Sequence, residues 1–241
     1  MRIVVVNVNT TESMTEEICA VARAAAATDT EIIGLTPQFG PASVEGHYDG
    51  LLSAAAVVER VAAYDEPFDA AIVAGFGDLG REGLQELLTV PVVDITEAAV
   101  LVARLLGHSY SVVTMADRSV PIVESRLRAL GLAERCASVR ATGMPVLELD
   151  GDGLEKVRAE LINQADLAVA TDRAEVVVLG CAGMAGLRAE AEAALGVPVV
   201  DGVEAAVHLA ESLVRMSLST SKIRTYARPD LDGVRRPVAP N

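Results

Sequence analysis

The chain has 241 residues, room for two domains of ordinary size or one large one. Hydrophobic residues make up 51% of it but aromatics only 3%, with no Trp, so its core must be built from Val, Leu, Ile and Ala. A formal charge of −14 excludes nucleic acid as a partner, since nothing offsets repulsion by phosphates, and no uninterrupted apolar run approaches the ~18 residues of a membrane span.

Val-rich runs alternate with Ala-rich amphipathic segments, which predicts βαβ units with parallel sheets covered on both faces. Strands are predicted over 2–7, 31–35, 69–74, 91–94, 110–114, 136–140, 175–180 and 198–200. Helices are predicted over 12–27, 50–64, 80–88, 96–106, 118–130, 152–170, 185–195 and 202–217. The first strand follows Met1-Arg2 directly and ends in polar Asn7, so it reads as a strand and not as a secretory leader; a cytoplasmic protein is expected. Asn7-Val8-Asn9-Thr10 closes that strand, and Asn9 can hydrogen-bond a polar ligand, although capping by Thr10 or Thr11 serves as well. The first helix carries a capping-box pattern, Ser13 with Glu16. Segment 36–49 holds two Pro and two Gly without a period, as expected of a binding loop or lid.

Strand 69–74 runs into Gly75-Phe76-Gly77-Asp78, and residues 90–106 follow as VPVVDITEAAVLVARLL. The latter stretch recurs at 197–213 as VPVVDGVEAAVHLAESL, an offset of 107 residues. That period is too long for a solenoid and predicts two similar lobes. Strand 110–114 then matches strand 2–7, and Thr114-Met115-Ala116-Asp117 matches Asn7 to Thr10. Lobe 1 is expected over 1–106, joined by the C-terminal helix over 206–218, and lobe 2 over 107–205. A tail is expected over 219–241, with Pro229, Pro237 and Pro240, its end frayed or extended. Asp94 with Glu97, and Asp201 with Glu204, fall at the same places in both lobes and are expected to cap and charge helix starts.

The second glycine-rich turn, Leu179-Gly180-Cys181-Ala182-Gly183-Met184, carries the one obvious reagent. Ligands bind at the carboxyl ends of parallel strands. Free N–H groups of a turn there favour the thiolate and lower its pKa. Position alone leaves Cys181 open as a reactive thiol or as a small buried hydrophobe. Cys19, mid-helix, and Cys136, at a strand start, read as packing residues. Three sparse cysteines imply reduced thiols, and His47, His108 and His208 lie too far apart for a metal motif, so no metal is expected. Gly75, Gly77 and Gly80 have dinucleotide-loop spacing, but the second lobe lacks that pattern and Asp78 would repel a pyrophosphate. Asp78 could act as a base, with helix capping the plainer role.

Together these segments resemble the Asp/Glu/hydantoin racemase superfamily, and within it hydantoin racemase, over nearly the whole chain. The family's Asn-Pro-Asn-Thr reads Asn7-Val8-Asn9-Thr10, with Val8 in place of proline. Its Gly-Pro-x-Ser-Ile-Glu-Gly loop reads Gly40 to Gly46, its Leu-Gly-Cys-Ala-Gly-Met is intact at Leu179 to Met184, and its Thr-Ser-Lys at Thr220 to Lys222. The resemblance implies two Rossmann-like α/β lobes related by a pseudo-twofold around a cleft, a homo-oligomer, a small-molecule substrate, and no cofactor. It also implies two thiols that exchange protons with opposite faces of a carbon acid such as a 5-substituted hydantoin. Cys181 takes one of these places, but Gly75 stands where the family's Cys-Phe-Gly-Asp has the other. The glycine fits an engineered replacement, a natural branch, or a reaction needing one donor, as in the related arylmalonate decarboxylases. A non-catalytic binding relative is the remaining alternative. Backbone groups of Phe76, Gly77, Ala182 and Gly183 are expected to hold substrate oxygens, with Asn9 and Ser43 assisting and Asp78, Thr114 and Met184 completing the site.

Overall fold

The computed structural model describes residues 1–149 and 153–232. Residue 152, the expected start of one helix, and the tail over 233–241 with Pro237 and Pro240, lie outside the described residues. Strands β1 (Arg2–Asn7), β2 (Glu31–Leu35), β3 (Ala70–Ala74) and β4 (Val92–Asp94) form a parallel sheet in the order β2-β1-β3-β4. Strands β5 (Tyr110–Thr114), β6 (Cys136–Ala141), β7 (Val176–Leu179) and β8 (Val199–Val200) form a second parallel sheet in the order β6-β5-β7-β8. The helices are α1 (Glu12–Ala25), α2 (His47–Ala62), α3 (Arg81–Leu87), α4 (Ile95–Leu106), α5 (Val120–Ala129), α6 (Leu154–Ala170), α7 (Arg188–Leu195) and α8 (Gly202–Arg215). The fold is therefore α/β, two lobes of one topology.

Uninterrupted Val and Ile make these strands because both faces of each sheet are covered. Ile3 and Val5 point into a central cluster with Ile18 of α1 and Ala206 of α8. Val4 and Val6 point the other way, onto Val57 of α2 and Leu84 of α3. Lobe 2 repeats the division. Val112 and Val178 join the central cluster, while Val113 and Val177 pack on Leu161 of α6.

Two helices cross between the lobes. α8, although it follows β8, lies along β3 and α1 of the first lobe, whereas α4 lies along β7 of the second. Buried Glu211 of α8 accepts from the Ala27 N–H and the Thr30 hydroxyl, which fixes α8 to the end of α1. The starts of α4 and α8 touch so closely that a Cβ on Gly202 would lie 2.8 Å from the Ile95 carbonyl oxygen.

Some local expectations need correction. Helix α1 starts at Glu12 with Thr11 as its N-cap residue, so Ser13 lies inside the first turn and not at the cap. Neither Thr10 nor Thr11 caps with its side chain; both hydroxyls donate to the 36–49 loop, at Pro41 and Ala42. Helix α2 begins at His47, three residues before the periodicity predicts, because the Asp49 carboxylate reaches back to the N–H groups of Gly46 and Glu45. Gly80, in a left-handed conformation, takes the N-cap place of α3 that was expected for Asp78. Asp94 and Asp201 do cap α4 and α8, accepting from Glu97 N–H at 2.7 Å and Glu204 N–H at 2.8 Å. The start of the tail is tied down over Thr220–Lys222, and its end lies outside the described residues. Thr220 bonds to the Thr89 and Val90 carbonyls, and the Lys222 ammonium donates to the Gln85 and Glu86 carbonyls at the end of α3.

Candidate active site

The turns after β3 and β7 meet at one cavity of about 530 Å³, counting the part open to solvent. Gly75 and Phe76 line it from one lobe and Gly180 to Gly183 from the other. Among its lining residues Cys181 is the one whose side chain titrates; the other polar side chains are Asn7, Asn9, Thr114 and Ser119.

Asn7 organises the first wall. Its Nδ2 donates to Asn9 Oδ1 at 2.9 Å, to Thr15 Oγ1 and to the Thr11 carbonyl, and its Oδ1 accepts from Val8 N–H. Asn9 Oδ1 also accepts from Thr11 N–H, which leaves its Nδ2 facing only the Met14 sulfur at 3.5 Å. A thioether is a weak acceptor, so this amide is the side-chain donor best placed for a ligand oxygen. Across the cavity, the Thr114 hydroxyl donates to the Gly180 carbonyl and so fixes the second turn.

Cys181 is partly exposed and lines the cavity. Burial pushes its pKa up to about 11; the Gly183 and Met184 amide N–H groups pull it down, and the charges of Asp201 and Glu45 push it further up. The amides expected to favour the thiolate are thus present, but desolvation and two carboxylates outweigh them. This corrects the expectation of a lowered pKa. Asp201 is itself abnormal, raised to about 6 mainly by burial, and its Oδ2 has no partner. Its counterpart Asp94 is held by Arg81 at 3.2 Å and by Arg126 at 3.0 Å.

The 36–49 segment ties the lobes together beside the cavity. Pro41 and Ala42 accept from Thr10 and Thr11 of lobe 1, while the Glu45 carbonyl accepts from Ser119 and its carboxylate from Val146 N–H of lobe 2. A larger open cavity of about 1320 Å³ adjoins the first and shares Val44, Phe76, Leu79 and Ser119 with it.

The expected site residues do not all converge. Gly75, Phe76, Asn9, Thr114, Cys181, Ala182 and Gly183 line the cavity. Gly77 lines only the adjoining one, and its N–H is spent on Thr96 Oγ1 at 2.9 Å, so it is not free to bind a substrate oxygen. Ser43 donates to Glu45 instead of lining the cavity, and Met184 is fully buried in the lobe 2 core. The Asp78 carboxylate is 71% exposed, 3.8 Å from Arg126, beside the adjoining cavity. The sequence reading passed over Glu45, Ser119 and Val146. Glu45 lies in a quoted motif, whereas Ser119 and Val146 sit in no motif and reach the site only through the fold.

The sequence profile of Asp/Glu/Hydantoin racemase matches residues 3–210. The chain belongs to this racemase family. It is 40% identical to the hydantoin racemase of Pseudomonas sp. (strain NS671) over 95% of its own length and 92% of that protein's. The allantoin racemase structure from Pseudomonas fluorescens is 60% identical, covering 99% of this chain and 100% of that one with a TM-score of 0.94. Arylmalonate decarboxylase, 18% identical with a TM-score of 0.58 over 89% of this chain and 92% of that one, shares the fold. This racemase-family enzyme thus keeps the two-lobed cleft with one thiol in it. No helix among its described residues is long and apolar enough to cross a membrane.

Proposed function

We propose that the chain racemizes a carbon acid beside a carbonyl, with Cys181 as an acid/base and a five-membered cyclic ureide, a hydantoin such as allantoin, as substrate. One observation carries this reading: Cys181 is the titratable side chain of a cavity whose other polar side chains are two amides and two hydroxyls. Sγ as thiolate takes the α-proton, the electron pair moves onto the adjacent carbonyl oxygen, and a solvent-derived proton delivered to the opposite face of the carbon gives the other enantiomer, while the S–H gives its proton back to solvent. Asn9 Nδ2 and the turn amides donate to the enolate oxygen as its charge grows. The names of the relatives support the ring substrate, and neither metal nor redox cofactor enters the scheme. A thiol that must stay reduced suits a cytoplasmic enzyme. Exposed Leu101, Leu105 and Leu106 on α4 support a homo-oligomer.

The second reading is loss of carbon dioxide from a malonate, with Cys181 protonating the carbanion; Gly75 favours it because that reaction needs one donor. Deuterium uptake at the α-carbon in D2O, followed by NMR for both enantiomers of a 5-substituted hydantoin, tests the first. Uptake that Cys181→Ala abolishes supports it. No uptake, together with carbon dioxide release from an arylmalonate, selects the second, and neither reaction would mark a pure binder.

A further inference from the structure

Resting on the racemase reading, we infer that the larger adjoining cavity receives the substituent carried on the reacting carbon, and that it selects hydantoins with neutral or basic side chains over those ending in a carboxylate. The two cavities share Val44, Phe76, Leu79 and Ser119 as walls. The smaller, of about 530 Å³, holds the Cys181 thiol and the turn after β7, whereas the larger, of about 1320 Å³, is walled by α2, α3 and α5. A Cβ built on Gly77 would meet no atom beyond its chain neighbours nearer than 3.9 Å, and one on Gly50 none nearer than 3.8 Å. The backbone on both sides of the larger cavity therefore borders open space.

The seam between the lobes is where racemization needs this room. Inversion moves the hydrogen from one face of the carbon to the other, while the ring and its substituent stay near the plane between the faces. A wall belonging to one lobe would favour one configuration; a throat between the lobes accepts the substituent in both. The shared residues meet that condition. Phe76 and Leu79 follow β3 in lobe 1, Ser119 precedes α5 in lobe 2, and Val44 lies in the segment that ties the lobes together. Ser119 Oγ donates to the Glu45 carbonyl at 3.0 Å, so its proton is spent and the throat offers a passing chain an otherwise apolar rim.

Beyond the throat, Leu51, Ala54, Ile122 and Val123 supply apolar wall for an alkyl or aryl substituent. Among the described lining residues, the carboxylates of Glu45, Asp78 and Glu82 stand against one guanidinium, that of Arg126, which Glu82 and Asp94 already engage at 2.9 Å and 3.0 Å. A cleft lined by one sign of charge between low-dielectric walls focuses its field. A carboxylate on the substituent is repelled there, and a neutral amide or an ammonium group is not.

The test follows racemization of methyl-, benzyl-, carboxyethyl- and carbamoylethyl-hydantoin, each substituted at the reacting carbon, by the full chain and by its variants Ile122→Trp and Leu51→Trp. Ile122 lies across open space from Gly77, and Leu51 is 75% exposed, so the second variant narrows the cavity without disturbing the core. Ile122→Trp should raise KM for the benzyl compound about tenfold or more, and Leu51→Trp about threefold, while KM for the methyl compound stays within about twofold. In the unaltered chain, kcat/KM for the carboxyethyl compound should fall about tenfold below that of its carbamoylethyl isostere, with the gap closing as salt is raised to about 1 M. Equal effects on the methyl and benzyl compounds, or no effect of either variant, would overturn the inference, as would a carboxylate accepted as well as its amide. Absence of Cys181-dependent racemization of all four compounds would overturn the racemase reading instead. Calorimetric affinities of the same compounds for the three proteins would then still decide where the substituent sits.

Discussion

At Cys181 burial and two nearby carboxylates oppose two amide N–H groups, and the balance leaves the thiol protonated up to about pH 11. On the order of 10⁻⁴ of it is thiolate at neutral pH, so proton abstraction is limited by ionisation. Exchange at the substrate α-carbon should therefore rise about tenfold per pH unit between roughly pH 7 and pH 9, without a plateau; a flat profile would contradict this. Glu45→Gln removes one of the charges that raise the thiol and should shift the profile to lower pH. Asp201 makes the converse case. Its folded pKa of about 6 lies above its ordinary 3.8, so ionising it in the fold costs stability as pH rises from about 4 to 6, and that cost persists above. Asp201→Asn keeps the oxygen that accepts Glu204 N–H and should raise the melting temperature at pH 8, by the equivalent of at most about 3 kcal/mol, with the advantage disappearing near pH 4. Equal stability at both pH values would disprove it. At this scale sequence reading reached the thiol and its turn but not the sign of the pKa shift, because desolvation depends on what the fold lays over the residue. For the same reason it could not see that Thr96 already consumes the Gly77 amide.

Among the elements, α5 of lobe 2 and α3 and α4 of lobe 1 are joined by a buried ion cluster. Arg126 binds Asp94 at 3.0 Å and Glu82 at 2.9 Å, and Arg81 binds Asp94 and Glu97 beside it. Removing Arg126 leaves the buried Asp94 with Arg81 as counter-ion but takes away one of its two, so Arg126→Ala should cost up to about 3–5 kcal/mol by denaturant unfolding. Arg128→Ala, from an exposed pair with Glu124, should cost under ~1 kcal/mol. Similar losses for both would show that the cluster carries no special weight. Burial raises the Glu82 pKa, but Arg126 outweighs it and brings it below 4.5, so the stabilisation is present at neutral pH and fades as pH falls through that lowered value. The elements themselves were legible because the Val and Ala periodicity is a local signal. The pairing of Arg126 with Asp94 was not, since it joins residues 32 apart on different lobes and has no motif.

For the molecule as a whole, the 107-residue repeat announced two lobes, and both sheets share one strand order. What the repeat could not announce is that each lobe's last helix lies on the other lobe's sheet. The exchange of α4 and α8 has a consequence for dividing the chain. A fragment over 1–106 would present β3 without α8, and a fragment over 107–241 would present β7 without α4. Each would leave an all-apolar strand bare to water, at a cost of ~25 cal/mol for every Å² exposed. Expressed alone, both halves should aggregate or stay unfolded. Expressed together, they should assemble as a heterodimer that regains the cleft, so the connection at 107–109 becomes a place where the polypeptide can be opened and function recovered by complementation. A half that folds by itself, with cooperative melting, would show instead that the crossing helices are ornament to two self-sufficient units.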